Sequence, residues 1–156
     1  MKKLQVDLEL LLELSLTETR GDGECYINLN NGELSYIPQG IIEALEDESK
    51  FSCLESWEIE LAHEAQDIVM NYDDKYLYIP LIEDNVLISS MKQFLETLAD
   101  DIRTKIIADV DWSNSFLTFN KSLVNNNKLD DFYIFRDEFL YNYLVKWLEN
   151  NNITIV

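Results

Sequence analysis

The feature that most constrains the fold is a run of apolar residues that keeps a helical period over residues 129–149. In order, they are Phe132, Phe135, Phe139, Leu140, Tyr143, Leu144, Trp147 and Leu148. Spacings of three and four residues place such side chains on one face of an α-helix. Leucines at 4, 8, 11, 12 and 16 follow the same rule and predict a second helix over residues 3–18. We expect these two helices to supply much of the core.

Between these helices the period of the pattern changes to that of a small β-sheet. Two β-rich runs flank Asn31-Gly32, which predicts a hairpin over residues 24–38 with a type I′ turn. Residues 76–80 predict a third strand, and residues 153–156 predict a short edge strand. Shorter helices are predicted at 41–48, 53–70, 84–98, 100–109 and 113–124, with a turn at Asp73-Asp74. The helix at 53–70 has one apolar side, formed by Leu54, Trp57, Leu61, Ile68 and Val69. The asparagine runs at 125–127 and 150–152 are predicted to end the helices before them. The sequence therefore predicts an α+β fold, mostly helical, in a single domain over residues 1–156.

Composition excludes several classes of protein. The chain has 156 residues, with 12 Lys and Arg against 30 Asp and Glu, which gives a net charge of −18. Two cysteines do not form a disulfide-rich scaffold, and one histidine argues against a His-based metal site. The negative field repels nucleic acid backbones and anionic membranes, so we expect no direct nucleic acid partner and no membrane partner. Nothing in the sequence predicts a cofactor, and it leaves the oligomeric state open.

We do not expect the N-terminal residues to act as a signal peptide. Asp7, Glu9 and Glu13 interrupt what would be its apolar region. No segment reaches the roughly 18 consecutive apolar residues of a membrane span. We therefore predict a cytoplasmic protein whose Cys25 and Cys53 are reduced thiols.

The order of several motifs resembles that of a bacterial family of unknown function, uncharacterised protein family 0158. The motifs are an N-terminal amphipathic helix, the strand–turn–strand of residues 26–38 ending in Tyr-Ile-Pro, the strand Tyr-Leu-Tyr-Ile-Pro at 76–80, and Phe-Arg-Asp-Glu-Phe-Leu at 135–140 followed by Trp-Leu-Glu-Asn-Asn-Asn-Ile at 147–153. The resemblance covers most of the chain and implies an α+β fold. It brings no assigned activity. This chain departs from the family in being rich in asparagine near its last helix.

No assembled catalytic motif is present. The chain contains neither of the glycine-rich phosphate loops, His63-Glu64 lacks the second histidine of a zincin motif, and the cysteines form no C-x-x-C. Acidic pairs occur at 73–74, 83–84, 100–101, 130–131 and 137–138. Most of them are explained as helix N-terminal or turn residues. A carboxylate-based hydrolase, with or without a divalent metal, remains an alternative function.

The strongest signal is the charge of residues 39–74, which we call the acidic segment. It carries one base, Lys50, and eleven acids: Glu43, Glu46, Asp47, Glu48, Glu55, Glu58, Glu60, Glu64, Asp67, Asp73 and Asp74. One interpretation is a solvated face that maintains solubility. The functional interpretation is a non-catalytic interaction protein whose acidic segment docks on a basic surface of a partner protein. An alternative is mimicry of nucleic acid, in which the carboxylates block a DNA- or RNA-binding protein.

Arg136 is the other polar residue that the sequence singles out. It lies among Phe132, Phe135, Phe139 and Leu140, with acids next to it in sequence. A structural ion pair or an aromatic stack would fix it in the last helix. Contact with the carboxylate or phosphate of a ligand is the alternative.

Overall fold

A computed structural model describes residues 1–156 and has the predicted α+β class, mostly helical with a small antiparallel sheet. The chain divides into two compact units, residues 1–81 with 144–156 and residues 82–143. The first unit contains β1 (Lys2–Leu4), α1 (Leu8–Ser15), α2 (Thr17–Arg20), β2 (Glu24–Asn28), β3 (Leu34–Ile37), α3 (Gln39–Glu46), α4 (Glu48–Phe51), α5 (Ser56–Met70), α6 (Tyr72–Lys75), β4 (Tyr76–Tyr78) and β5 (Ile153–Ile155). The second contains α7 (Asp84–Glu96), α8 (Asp100–Asp109), a 3₁₀ turn (Trp112–Asn114) and α9 (Ser115–Asn125). The last helix, α10 (Leu129–Asn150), contributes residues to both units.

The sheet of the first unit has the strand order β3-β2-β4, and both pairings are antiparallel. Glu24 lies opposite Ile37 and Ile27 opposite Leu34, so the predicted hairpin is confirmed. Its turn is longer than the predicted two-residue type I′ turn. The Asn28 amide donates to the Glu33 carbonyl at 2.8 Å, and only Gly32 of the loop has a positive φ, of 80°. Because Asn31 does not adopt the left-handed conformation that a type I′ turn requires, that part of the prediction is wrong.

The N-terminal residues form a strand where the sequence predicted the start of a helix over residues 3–18. Strand β1 pairs in parallel with β5, and Lys2 lies opposite Ile153. Leu4 and Val6 are buried while Lys3 and Gln5 are exposed, which is the alternation of a strand. Helix α1 begins at Leu8. Asp7 is its N-cap, and the Asp7 carboxylate accepts a hydrogen bond from the Leu10 amide at 3.1 Å. The predicted C-terminal strand is confirmed, and its partner is β1.

Two asparagine runs end the helices that precede them, as the sequence predicted. Asn127 after α9 and Asn152 after α10 have φ values of 56° and 62°. Beyond α9 the Lys128 amide reaches back to the Leu123 carbonyl at 2.8 Å, which completes a Schellman-type C-cap. Asparagine tolerates the left-handed conformation better than most residues, so these runs stop both helices.

The core of the first unit lies between the sheet and helices α3 and α5. Its buried residues include Ile37, Ile41, Ala62, Ala65, Ile68 and Tyr76. The sequence placed Trp57 and Val69 on the apolar face of α5, but they are 60% and 72% exposed. Alanines form most of the buried face instead, and α3 packs against it. The predicted turn at Asp73-Asp74 is also wrong, because these residues lie within the short helix α6.

Aromatic rings fill the core of the second unit. The Phe132 ring lies 5.0 Å from that of Phe119 and 5.3 Å from that of Phe94, in edge-to-face contacts that aromatic pairs prefer. Met91, Leu95, Ile106 and Leu123 complete the buried cluster. The helices predicted at 84–98, 100–109, 113–124 and 129–149 are all present, with differences only at their ends.

Candidate functional site

The acidic segment folds into helices α3 to α6 of the first unit, and the structure divides its eleven acids by exposure. Glu58, Glu64 and Asp67 are half-buried. The other eight side chains are exposed: Glu43, Glu46, Asp47, Glu48, Glu55, Glu60, Asp73 and Asp74. The predicted docking residues are therefore not equivalent, and their contacts decide which of them are available to a partner.

Each of the half-buried acids holds part of the fold together. The Glu58 carboxylate accepts a hydrogen bond from the Glu55 amide at 3.1 Å and completes the capping box of α5. Glu64 accepts a hydrogen bond from the Ser35 hydroxyl of β3. Asp67 accepts one from the Tyr76 hydroxyl of β4 at 2.5 Å. These carboxylates tie α5 to its own first turn and to the sheet.

Three of the exposed acids have local partners. The Asp47 carboxylate caps α4 by accepting from the Ser49 hydroxyl and amide at 2.7 and 3.0 Å, and these bonds lower the pKa of Asp47. Glu55 accepts from the indole nitrogen of Trp57 at 2.7 Å. The Glu43 carboxylate lies 3.5 Å from the Lys50 ammonium nitrogen, so the one base of the acidic segment is already paired.

The remaining exposed acids form no hydrogen bond or ion pair through their carboxylates, and we call them the solvated acids. They are Glu46, Glu48, Glu60, Asp73 and Asp74. The two lysines of helices α3 to α6 pair with other acids, Lys50 with Glu43 and Lys75 with Asp67. A cationic partner would meet them without first breaking an internal ion pair.

The hydrogen bond from Tyr76 to Asp67 gives a pH-dependent prediction. This bond, with burial of the ring, raises the pKa of Tyr76 to about 12. Since the folded pKa lies above the unfolded value of about 10, the stabilisation is complete below pH 10 and is lost as the pH rises towards 12. Asp67→Asn should move the Tyr76 pKa back towards 10, measured by tyrosinate absorbance as a difference from the Tyr76→Phe variant. An unchanged pKa would contradict the role given to the carboxylate.

An apolar groove lies beside the acids, between α3 and α5. We call it the α3–α5 groove; its volume is about 540 Å³, and it is lined by Ile42, Leu45, Glu46, Gln66, Val69 and Met70. Val69 and Met70 are 72% and 83% exposed. Sequence reasoning missed this feature because it assigned Val69 to the buried face of α5. The feature of the sequence that could have indicated the groove is the apolar pair Val69-Met70 at the end of α5, directly after Ile68.

Sequence reasoning also missed a buried arginine at the end of α2. Arg20 is 5% exposed, and its guanidinium donates hydrogen bonds to the carbonyls of Leu14 and Ile79. It also lies 5.8 Å from the Tyr78 ring. The neighbouring Cys25 is fully buried, and burial raises the pKa of its thiol. A buried thiol of raised pKa is a poor nucleophile, so this group is structural.

Arg136 stacks on an aromatic ring, in line with the structural interpretation of the sequence. Its guanidinium carbon lies 4.9 Å from the centre of the Tyr133 ring, and its terminal nitrogen lies 3.8 Å from the Asp137 carboxylate. Both contacts are made within α10. They hold the side chain against its own helix.

Comparison with known proteins gives no family assignment. The chain matches no family model, no curated protein and no solved structure. The resemblance to uncharacterised protein family 0158 therefore stays a prediction.

Two further observations concern metals and membranes. Nowhere in the chain do three or more His, Cys, Asp or Glu side chains come together in a group that would hold a metal ion. None of the helices combines the length and the apolar character that a membrane crossing requires.

Proposed function

We propose that the chain is a non-catalytic interaction protein that docks through its acidic segment on a basic surface of a partner protein. The observation that carries this proposal is the set of five solvated acids, which have no partner within the chain. They lie on helices α3 to α6, whose two lysines, Lys50 and Lys75, already pair with Glu43 and Asp67. The cytoplasmic location belongs to the same proposal, and the free thiols of Cys25 and Cys53 fit it.

Unpaired, solvated carboxylates suit recognition of a basic surface for two reasons. Their field extends about 8 Å at physiological salt and steers the approach of a cationic partner. They also exchange water for a cationic partner without leaving any group of the chain unsatisfied. Specificity, association rate and retention at low salt should therefore all depend on these charges.

The test compares the wild-type chain with a variant that lacks the solvated acids. Its substitutions are Glu46→Gln, Glu48→Gln, Glu60→Gln, Asp73→Asn and Asp74→Asn. Affinity capture from a cell extract at about 50 mM salt should retain basic proteins on the wild type, and the variant should lose them. Raising the salt to about 500 mM should release the same proteins from the wild type.

A control variant removes five negative charges elsewhere. It carries Glu13→Gln, Glu33→Gln, Glu149→Gln, Asp101→Asn and Asp109→Asn, all of which are exposed and have no carboxylate contact. If docking uses the acidic segment, this variant keeps the partners of the wild type. Equal loss from both variants would mean that only total charge matters. Retention of every partner by the first variant would overturn the proposal.

A further inference from the structure

The α3–α5 groove joins two chemistries that the acids alone do not supply. Ile42 and Leu45 line it from α3, and Val69 and Met70 from α5. A volume of about 540 Å³ lies within the range of binding pockets. Methionine adapts its shape to different apolar partners, which favours a recognition surface over a rigid cavity.

The charge around the groove selects the sign of its occupant. Glu46, one of the solvated acids, lines the groove itself. The lining residues 45–46 and 69–70 stand at the C-terminal ends of α3 and α5, and neither helix has a basic residue in its last turn. The C-terminal end of a helix carries a partial negative charge that favours cations. An anionic or neutral ligand would gain no electrostatic stabilisation from these charges.

The position of the groove between two helices selects the form of its occupant. Helix-in-groove recognition places an amphipathic helix with apolar anchors at i, i+3, i+4 and i+7 in such a cleft. A second copy of this chain is disfavoured because each copy carries a charge of −18. A basic amphipathic helix satisfies both the apolar lining and the acidic rim.

We propose that the α3–α5 groove binds the apolar face of a basic amphipathic helix of a partner protein, while the solvated acids contact the cationic face of that helix. This inference rests on the proposed docking function and names the kind of partner. It assigns the apolar part of the affinity to the groove and the electrostatic part to the surrounding acids.

The probe for the test is a fluorescent synthetic peptide of about 18 residues, with leucines on one helical face and lysines on the other. Two control peptides carry serine in place of every leucine or glutamate in place of every lysine. Binding to the full chain is measured by fluorescence anisotropy. The leucine–lysine peptide should bind, and both control peptides should bind at least about tenfold more weakly.

The chain offers matched variants for the groove. Val69→Gln with Met70→Gln removes exposed apolar side chains and leaves the buried face of α5 intact. Val124→Gln changes a 55% exposed residue of α9, outside the groove, and serves as control. The double variant should bind the leucine–lysine peptide about tenfold more weakly than the wild type, and the control variant should bind it equally. Circular dichroism checks that both variants are folded.

The outcomes separate this inference from the proposed function. Equal binding of the serine peptide, or no effect of the double variant, would overturn the groove and leave docking by charge in place. Leucine–lysine binding that needs the groove but persists without the solvated acids would overturn docking by charge and keep the groove. Failure of every peptide to bind would overturn the groove as a site for a basic helix, while the affinity capture with the variant that lacks the solvated acids tests docking by charge on its own. A dimer in sedimentation that Met70→Gln dissociates would show that a second copy occupies the groove, and it would overturn the proposed partner.

Discussion

Replacement of Arg20 with alanine is expected to lower the free energy of unfolding by at least about 3 kcal/mol. The guanidinium is 5% exposed and bonds to the carbonyls of Leu14 and Ile79, which lie in different parts of the first unit. Its removal leaves two buried acceptors without a donor and opens a cavity beside Cys25. Urea denaturation followed by circular dichroism measures the loss.

Two further variants make this prediction specific. Arg20→Met keeps an unbranched side chain that fills the space but removes the hydrogen-bond donors. It should therefore lower the free energy of unfolding less than Arg20→Ala does. Arg103→Ala removes an arginine whose partners Glu96 and Asp100 are exposed, and it should cost less than about 1 kcal/mol. Equal stability of the Arg20→Ala and Arg103→Ala variants would show that the buried hydrogen bonds contribute nothing.

Gly32→Ala is expected to lower the free energy of unfolding by about 2 kcal/mol or more. Gly32 has a φ of 80°, and an added Cβ would lie 2.3 Å from the backbone carbonyl oxygen of Gln5. That oxygen belongs to the connection between β1 and α1, so it moves only if the backbone moves. The same denaturation experiment measures the effect.

Gly40→Ala is the matched control for this glycine. Gly40 lies in α3, and nothing stands within 4 Å of an added Cβ. Alanine favours a helix over glycine by about 0.5–1 kcal/mol, so this variant should be slightly more stable than the wild type. Destabilisation of both variants to the same extent would contradict the geometric explanation.

Those parts of the fold that depend on local sequence were predictable. The hydrophobic period predicted a helix over residues 129–149, and α10 spans Leu129–Asn150. The asparagine runs lie where α9 and α10 end. The hairpin followed from its β-rich runs, although its turn did not. In each case the residues that determine the structure lie within a few positions of one another.

The other parts depend on contacts between distant residues. Strand β1 has only three residues, and it is a strand because β5 pairs with it at the other end of the sequence. From the sequence alone, Arg20 looks like an ordinary surface arginine. It is buried because it donates a hydrogen bond to the carbonyl of Ile79, which is distant in sequence. Trp57 and Val69 have the right period for the buried face of α5, but Ala62 and Ala65 occupy it.

The candidate site shows the same limit. Charge alone identified the acidic segment, and it treated all eleven acids as equal. Ser35 and Tyr76, on strands β3 and β4, decide that Glu64 and Asp67 serve the fold. The sequence did not predict the groove, because the exposed residues Val69 and Met70 come directly after the buried Ile68 in α5.

The pairing of β1 with β5 has a consequence for synthesis on the ribosome. The second unit is one continuous stretch, residues 82–143, and all its segments have been translated before β5 exists. The edge of strand β1 stays unpaired during this time, because each of its residues pairs with a residue 151 positions later, as Lys2 does with Ile153. The stretch that is inserted into the first unit can therefore finish folding before the unit that contains the chain's first residues.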